Sequence, residues 1–166
     1  CALPISWRAY EVLGVMMRRL AVAVLAILWS VGAHANGDCR KLSRLTDFNH
    51  AIEPGIAVPA TDSVPAHCRV TGVVSRAIRF TVTLRHDGNG KMMFTAVGGA
   101  AGQIGDTTSL LARGFAMAST DTGHEAVDDN AFYNQPQALV DYAYRGVHLA
   151  DTVSQADHST LLRRGH

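Results

Sequence analysis

The chain has 166 residues, 48% of them hydrophobic and 17% charged, with a formal net charge of +1. That composition excludes a disordered tail and a plain membrane protein, and the length allows one domain or part of one. Beyond residue 35 the balance is twelve basic against thirteen acidic side chains, so nothing suggests an electrostatic footprint for nucleic acid.

The first 35 residues read as processing sequence rather than fold. Met17-Arg18-Arg19 is a short basic region, Leu20 to Trp29 is apolar throughout, and Ala33-His34-Ala35 is a small-x-small cleavage site. Those are the three parts of a secretory signal peptide. Leu20 to Ala33 is too short to span a bilayer easily. Cys1 to Met16 precede the signal and read as a non-native leader. The expectation is a leader over 1–16, a signal over 17–35, and a secreted or periplasmic domain over 36–166, with no stable membrane span after cleavage. Cys39 and Cys68 then remain as an even pair in an oxidising compartment, open to a disulfide or to two free thiols. His67-Cys68 could ligate a metal, but two ligands with no partner pair nearby are weak evidence.

Asn36 to Pro65 reads as an arm, because Pro54-Gly55 and Pro59 break any long element. Cys68 to Val74 and Ile78 to Arg85 read as strands. The second alternates cleanly, with Ile78, Phe80, Val82 and Leu84 on one face and Arg79, Thr81, Thr83 and Arg85 on the other. His86 to Gly90 (HDGNG) is a turn cluster leading into a third strand, Met92 to Val97. The opening is therefore two or three antiparallel strands. After them the pattern changes to strand–helix alternation, which implies parallel strands with crossovers.

Gly98, Gly99, Gly102 and Gly105 strip side chains from the loop that follows. Asp106 can cap a helix over about Thr107 to Arg113, with Gly114 at its stop. Phe115 to Ser119 is small and apolar, as suits a buried parallel strand. A second helix is predicted from Pro136 to Gln155, with Pro136 in its first turn and Asn134 as cap. Leu139, Ala143, Val147, Ala150 and Val153 form its buried stripe; Asp141, Arg145, His148 and Thr152 line the other side, with Asp141 and Arg145 paired at i,i+4. A crossover helix should deliver the chain to another parallel strand. HSTLLRRGH contains none, so the sequence reads as cut off mid-fold.

Two chemistries compete for the glycine loop, whose bare N–H groups can hold a phosphate or a developing oxyanion. Gly99-x-x-Gly102-x-x-Gly105 follows a strand and opens the expected helix, and Asp121 lies about twenty residues on, where a ribose-binding acid belongs in a dinucleotide site. The context opposes that reading, since an arm and two strands precede the motif and its helix is short. In an α/β-hydrolase, antiparallel strands come first, a glycine loop after the third strand donates one N–H to the oxyanion, and the nucleophile sits later on a sharp strand–helix turn. The strand count fits this reading, although no G-x-S-x-G is present.

Four segments carry a more specific signal: HCRVTGVV (67–74), NGKMMFTAVGGAAGQI (89–104), LLARGFAMASTDTGH (110–124) and QALVDYAYRGVHL (137–149). In this order they resemble the tannase/feruloyl esterase family, with STDTGH and the YRGVHL helix the most distinctive. The resemblance covers about Cys39 to Ala150. It implies an α/β fold, here an incomplete α/β-hydrolase without its nucleophile strand and lid domain, from a secreted serine esterase that cleaves esters of gallic, ferulic or related aromatic acids. Gly98 and Gly99 match the glycine pair that supplies an oxyanion-hole N–H, and Cys39 and Cys68 match an N-terminal disulfide. Val97 stands where the family usually has Asn and Ala100 where it has Phe. The nucleophile, acid and catalytic His of a Ser-His-Asp triad would lie beyond His166. The tail STLLRRGH no longer follows the family pattern.

Asp121 and His124 are expected to hold their own loop by hydrogen bonds, since a buried polar loop must satisfy its groups. A metal site from Asp121, His124 and His148 is a weaker alternative. Phe132, Tyr142 and Tyr144 read as packing residues. No cofactor is expected within the chain, and a calcium site would belong to the lid. The expected partner is a small aromatic ester.

Overall fold

The structure is a computed structural model that describes residues 39–128 and 131–164. The leader and signal expected over 1–35 lie outside the described residues. The fold is carried by a unit spanning Asn36–His166.

That unit is built on a mixed sheet of six strands: β1 (His50–Ile52), β2 (Ile56–Val58), β3 (His67–Val74), β4 (Ile78–Leu84), β5 (Met92–Thr95) and β6 (Ala116–Thr120). Their order is β1-β3-β4-β6-β5, with β2 also paired to β3. β1, β2 and β4 run antiparallel to β3, and β6 runs antiparallel to β4. β5 alone runs parallel to its neighbour β6. The opening is thus a true hairpin, β3–β4, and the Met92 strand does not extend it. That strand crosses to the far edge of the sheet and ends at Thr95, earlier than Val97. The arm also differs from expectation, since its two short segments on either side of Pro54-Gly55 add themselves to the edge of β3.

The two sheet faces differ in chemistry, because side chains alternate along a strand. On one face Cys68, Val70, Val74, Ile78, Phe80, Val82, Leu84, Ala116 and Ala118 are buried in the core cluster, joined by half-buried Met92 and Phe94. Leu42, Ala150 and Val153 complete that core from outside the sheet. Cys39 sits in it too and is disulfide-bonded to Cys68, with a Cα–Cα distance of 5.6 Å. The opposite face carries hydroxyls: Thr81 pairs in register with Ser119, and Ser119 with Thr95.

The helix expected over Thr107 to Arg113 is absent; a single 3-10 turn at Leu111–Arg113 stands there, closed by Gly114 at φ 83°. Asp106 does bind the amides of Thr108 and Ser109 at 2.9 and 3.0 Å. The backbone around it bonds instead to hydroxyls of the sheet, which compete with helical hydrogen bonds.

The second helix runs longer than predicted and is interrupted. It comprises α1 (Pro136–Val140), a π-helical turn (Asp141–Arg145) and α2 (Gly146–Arg164). Pro136 opens it as expected, but the cap is Gln135 and no side chain caps it. The expected stripe holds only in its second half. Leu139 and Val147 are about 40% exposed, whereas Asp141, Ala150, Val153, Ser154 and Asp157 are buried. Gly146 is buried too. The buried positions 141 and 146 stand five apart, the spacing of a π turn, and the wider turn rotates the inward face by one residue.

Candidate active site

Three pieces meet at the C-terminal ends of β5 and β6: the glycine loop, the TDTGH loop after β6, and the π turn. The glycine loop leaves β5 and runs across the hydroxyl face. A Cβ built at Gly98 or Gly99 meets nothing within 4 Å, and Gly99 has φ +64°. Neither amide has a hydrogen-bond partner among the described residues. The next part of the loop is fixed. Ala126 N–H donates to the Gly102 carbonyl at 2.9 Å. A Cβ at Gly102, where φ is +56°, would lie 2.6 Å from the Ala126 nitrogen, so only glycine lets the two loops approach this closely. Gly105 N–H donates to Ser119 Oγ at 2.9 Å. Val97, the departure from the family's Asn, faces Gly105, with its Cγ2 3.2 Å from a Cβ built there. The Asp106 carboxyl is held at about 2, below its ordinary value, by hydrogen bonds from Ser109 and Thr108.

Asp121 is 2% exposed. One carboxylate oxygen accepts Arg79 N–H at 3.0 Å and Gly123 N–H at 2.9 Å. The other accepts Arg79 Nε at 2.6 Å, and Arg79 Nη1 reaches Glu125 at 2.7 Å. The Asp121 carboxylate raises the Arg79 pKa. Thr122 adopts φ 59°, rare for a β-branched residue, to turn the chain. His124 stacks on Phe132 with ring centroids 4.1 Å apart and meets the edge of Tyr142 at 5.3 Å. Its Nδ1 lies 3.3 Å from Thr122 Oγ1, and its Nε2 is buried without a partner among the described residues. On the helix, buried Asp141 accepts from Arg145 at 2.6 Å and Gln137 at 3.0 Å, and Arg145 also reaches Ser75 Oγ in the β3–β4 turn at 3.1 Å.

The structure brings Gly102, Asp121 and His124 into one assembly and leaves Gly98 and Gly99 open beside it. Sequence reasoning missed the role of Arg79 and of the hydroxyls on β4, β5 and β6. The signal was the polar alternation of β4, Arg79-Thr81-Thr83, which marks a face that a polar loop can cover. Phe132 packs as expected, and Tyr144 does not, being 64% exposed. Among the described residues no group of three His, Cys, Asp or Glu side chains could hold a metal.

The dinucleotide reading is not favoured. Gly99, Gly102 and Gly105 open no α-helix, so no helix N-terminus faces a pyrophosphate. Asp121 is buried and occupied by Arg79 and Gly123, which leaves no carboxylate for a ribose.

An antiparallel opening, a glycine loop after a parallel edge strand and a helix laid across the sheet define the first strands of an α/β-hydrolase. Residues 63–162 match the family model for tannase and feruloyl esterase, and the chain belongs to that family. The match begins later than Cys39 and runs past Ala150 into the tail. A probable feruloyl esterase B-2 of Aspergillus terreus is 30% identical over 110 residues, 62% of this chain and 21% of that protein. An uncharacterized esterase of Xanthomonas campestris is 34% identical over 161 residues, 86% of this chain and 27% of the relative. The crystal structure of feruloyl esterase B from Aspergillus oryzae superposes with a TM-score of 0.66 at 21% identity, over 79% of this chain and 30% of that one. A second Aspergillus oryzae esterase gives 0.69 at 20% identity, over 79% and 31%. The chain thus spans between a fifth and a third of the length of these relatives.

Proposed function

We propose that this chain is the oxyanion-binding portion of a secreted carboxylic ester hydrolase for aromatic-acid esters of feruloyl or galloyl type. The observation that carries this is the pair Gly98-Gly99, with open amides and no neighbour at either Cβ position, at the C-terminal end of β5. A donor placed there can reach the oxygen of a tetrahedral intermediate at about 3 Å and stabilise the negative charge that develops on it. The nucleophile and base of a Ser-His-Asp triad follow His166 in the longer protein on this reading. Serine attack on the ester carbonyl gives an acyl-enzyme and releases the alcohol; water then releases the aromatic acid. Asp121 and His124 shape the loop beside the donors and take no part in proton transfer. The family resemblance and the feruloyl esterases among the relatives support the substrate class.

The test grafts residues 39–150 into the matching stretch of the Xanthomonas campestris esterase and measures hydrolysis of methyl ferulate and methyl gallate. Turnover of either by the folded chimera, lost when the nucleophilic serine becomes alanine, is the expected result. A folded chimera that hydrolyses neither, while the parent does, contradicts the reading.

A further inference from the structure

The glycine loop crosses the sheet without a helix to support it, and yet its second half is fixed residue by residue. Each bond comes from a different strand. Ser119 Oγ, on β6, accepts Gly105 N–H at 2.9 Å. Thr95 Oγ1, on β5, donates to the Asp106 carbonyl at 2.9 Å. Thr83 Oγ1, on β4, donates to the Thr107 carbonyl. Ser119 and Thr83 are fully buried. Three consecutive loop residues are thus held by three hydroxyls that the pleat places on one face of three neighbouring strands.

We propose that Thr83, Thr95 and Ser119 are positioning residues, a hydroxyl row that sets the conformation of the glycine loop and so aims Gly98 and Gly99. The role in catalysis rests on the esterase reading; the holding of the loop does not. A buried backbone group without a partner is costly, so Thr83 at the Thr107 carbonyl, and to a lesser degree Ser119 at the half-buried Gly105 amide, specify one register of the loop against the sheet, and Thr95 adds an exposed bond in the same register. A loop tethered at 105–107 and at Gly102 leaves a short stretch between β5 and Gly102, and that stretch starts from a strand whose own register is fixed. Donors aimed in advance need no reorganisation when charge develops, which is the condition for an effective oxyanion site.

Two measurements decide the matter. In the 166-residue chain, amide hydrogen exchange at Gly105 should be slow, and Ser119→Ala should speed it at least tenfold, beyond any change at the β3–β4 pairs. In the Xanthomonas campestris chimera, Thr95→Val removes the hydroxyl at constant volume, and Thr95→Ser keeps it while deleting a methyl group. Positioning predicts that Val lowers kcat about tenfold with little change in KM and that Ser retains activity. A packing role predicts the reverse order, with Ser the less stable and less active. Unchanged Gly105 exchange in Ser119→Ala overturns the hydroxyl row whatever the chimera does. Faster exchange in an inactive chimera supports the row and counts against the esterase reading alone. Equal kcat for Thr95→Val and Thr95→Ser removes the row from the mechanism.

Discussion

Asp121 and His124 look catalytic as residue types, and in the structure both are engaged by their own loop and its neighbours. Both Asp121 oxygens are engaged by Arg79 and Gly123, and the His124 ring lies between Phe132 and Tyr142. His124→Phe should keep the stack and remove the orphaned nitrogen, leaving stability near wild type. His124→Ala should cost about 3 kcal/mol through the lost aromatic contacts. Urea denaturation of the two variants checks this; equal losses would mean that a polar bond of His124 matters more than its ring. Asp157 gives a second residue-scale prediction. It lies buried on α2 with neither oxygen paired among the described residues, and burial raises its pKa to about 7. An unfolded Asp titrates near 4, so between about pH 4 and 7 the folded chain binds the extra proton. Stability therefore falls as pH rises through that window and levels off above it, by up to about 4 kcal/mol. Asp157→Asn should lose this decline and exceed the wild type at pH 8. Denaturation midpoints at pH 5 and pH 8 measure it, and parallel behaviour of the two proteins would contradict it.

At the scale of elements, the legible parts were those decided by local pattern. The alternation of Ile78 to Leu84, the all-buried β6 and the first turn at Pro136 follow from side-chain period and turn chemistry alone. What was not legible depends on long-range partners. The stretch after Asp106 has helix signals, but Thr95 and Thr83, distant in sequence, bind the Asp106 and Thr107 carbonyls, and the stretch forms bends and turns that end in a single 3-10 turn. The π turn at Asp141–Arg145 accompanies the shifted buried face: Asp141 is buried there and accepts hydrogen bonds from half-buried Arg145 and exposed Gln137, which no periodicity template contains. The glycine pattern marks the loop from Gly98 to Gly105, whereas the bonds of Gly102 to Ala126 and of Gly105 to Ser119 needed the structure. The Cys39–Cys68 bond joins the chain before β1 to β3 across a sequence separation of 29. Its loss should destabilise the unit by roughly 3 kcal/mol in the chain-entropy model. Thermal melting of the double Cys→Ala variant checks this, and an unchanged midpoint would show that the core alone holds the N-terminal turn.

For the whole molecule, β5 is the significant boundary. It is an edge strand in this sheet, it runs parallel to β6, and Met93 is 41% exposed on it. A parallel edge is normally covered on both faces and paired further, which suits a sheet that continues in a longer protein. Acyl transfer needs a nucleophile and an activating base as well as oxyanion donors. The 166-residue chain alone should therefore hydrolyse methyl ferulate no faster than a heat-denatured control, and turnover above that control would show that the chain carries a nucleophile of its own. The central claim is that Gly98 and Gly99 donate to the oxyanion, and one measurement tests it most directly: kcat of the folded Xanthomonas campestris chimera with and without Gly99→Val. A side chain at this left-handed position turns or blocks the amide, so kcat should fall about a hundredfold or more while the melting temperature stays within a few degrees. An unchanged kcat in Gly99→Val, and again in Gly98→Val, would contradict the account.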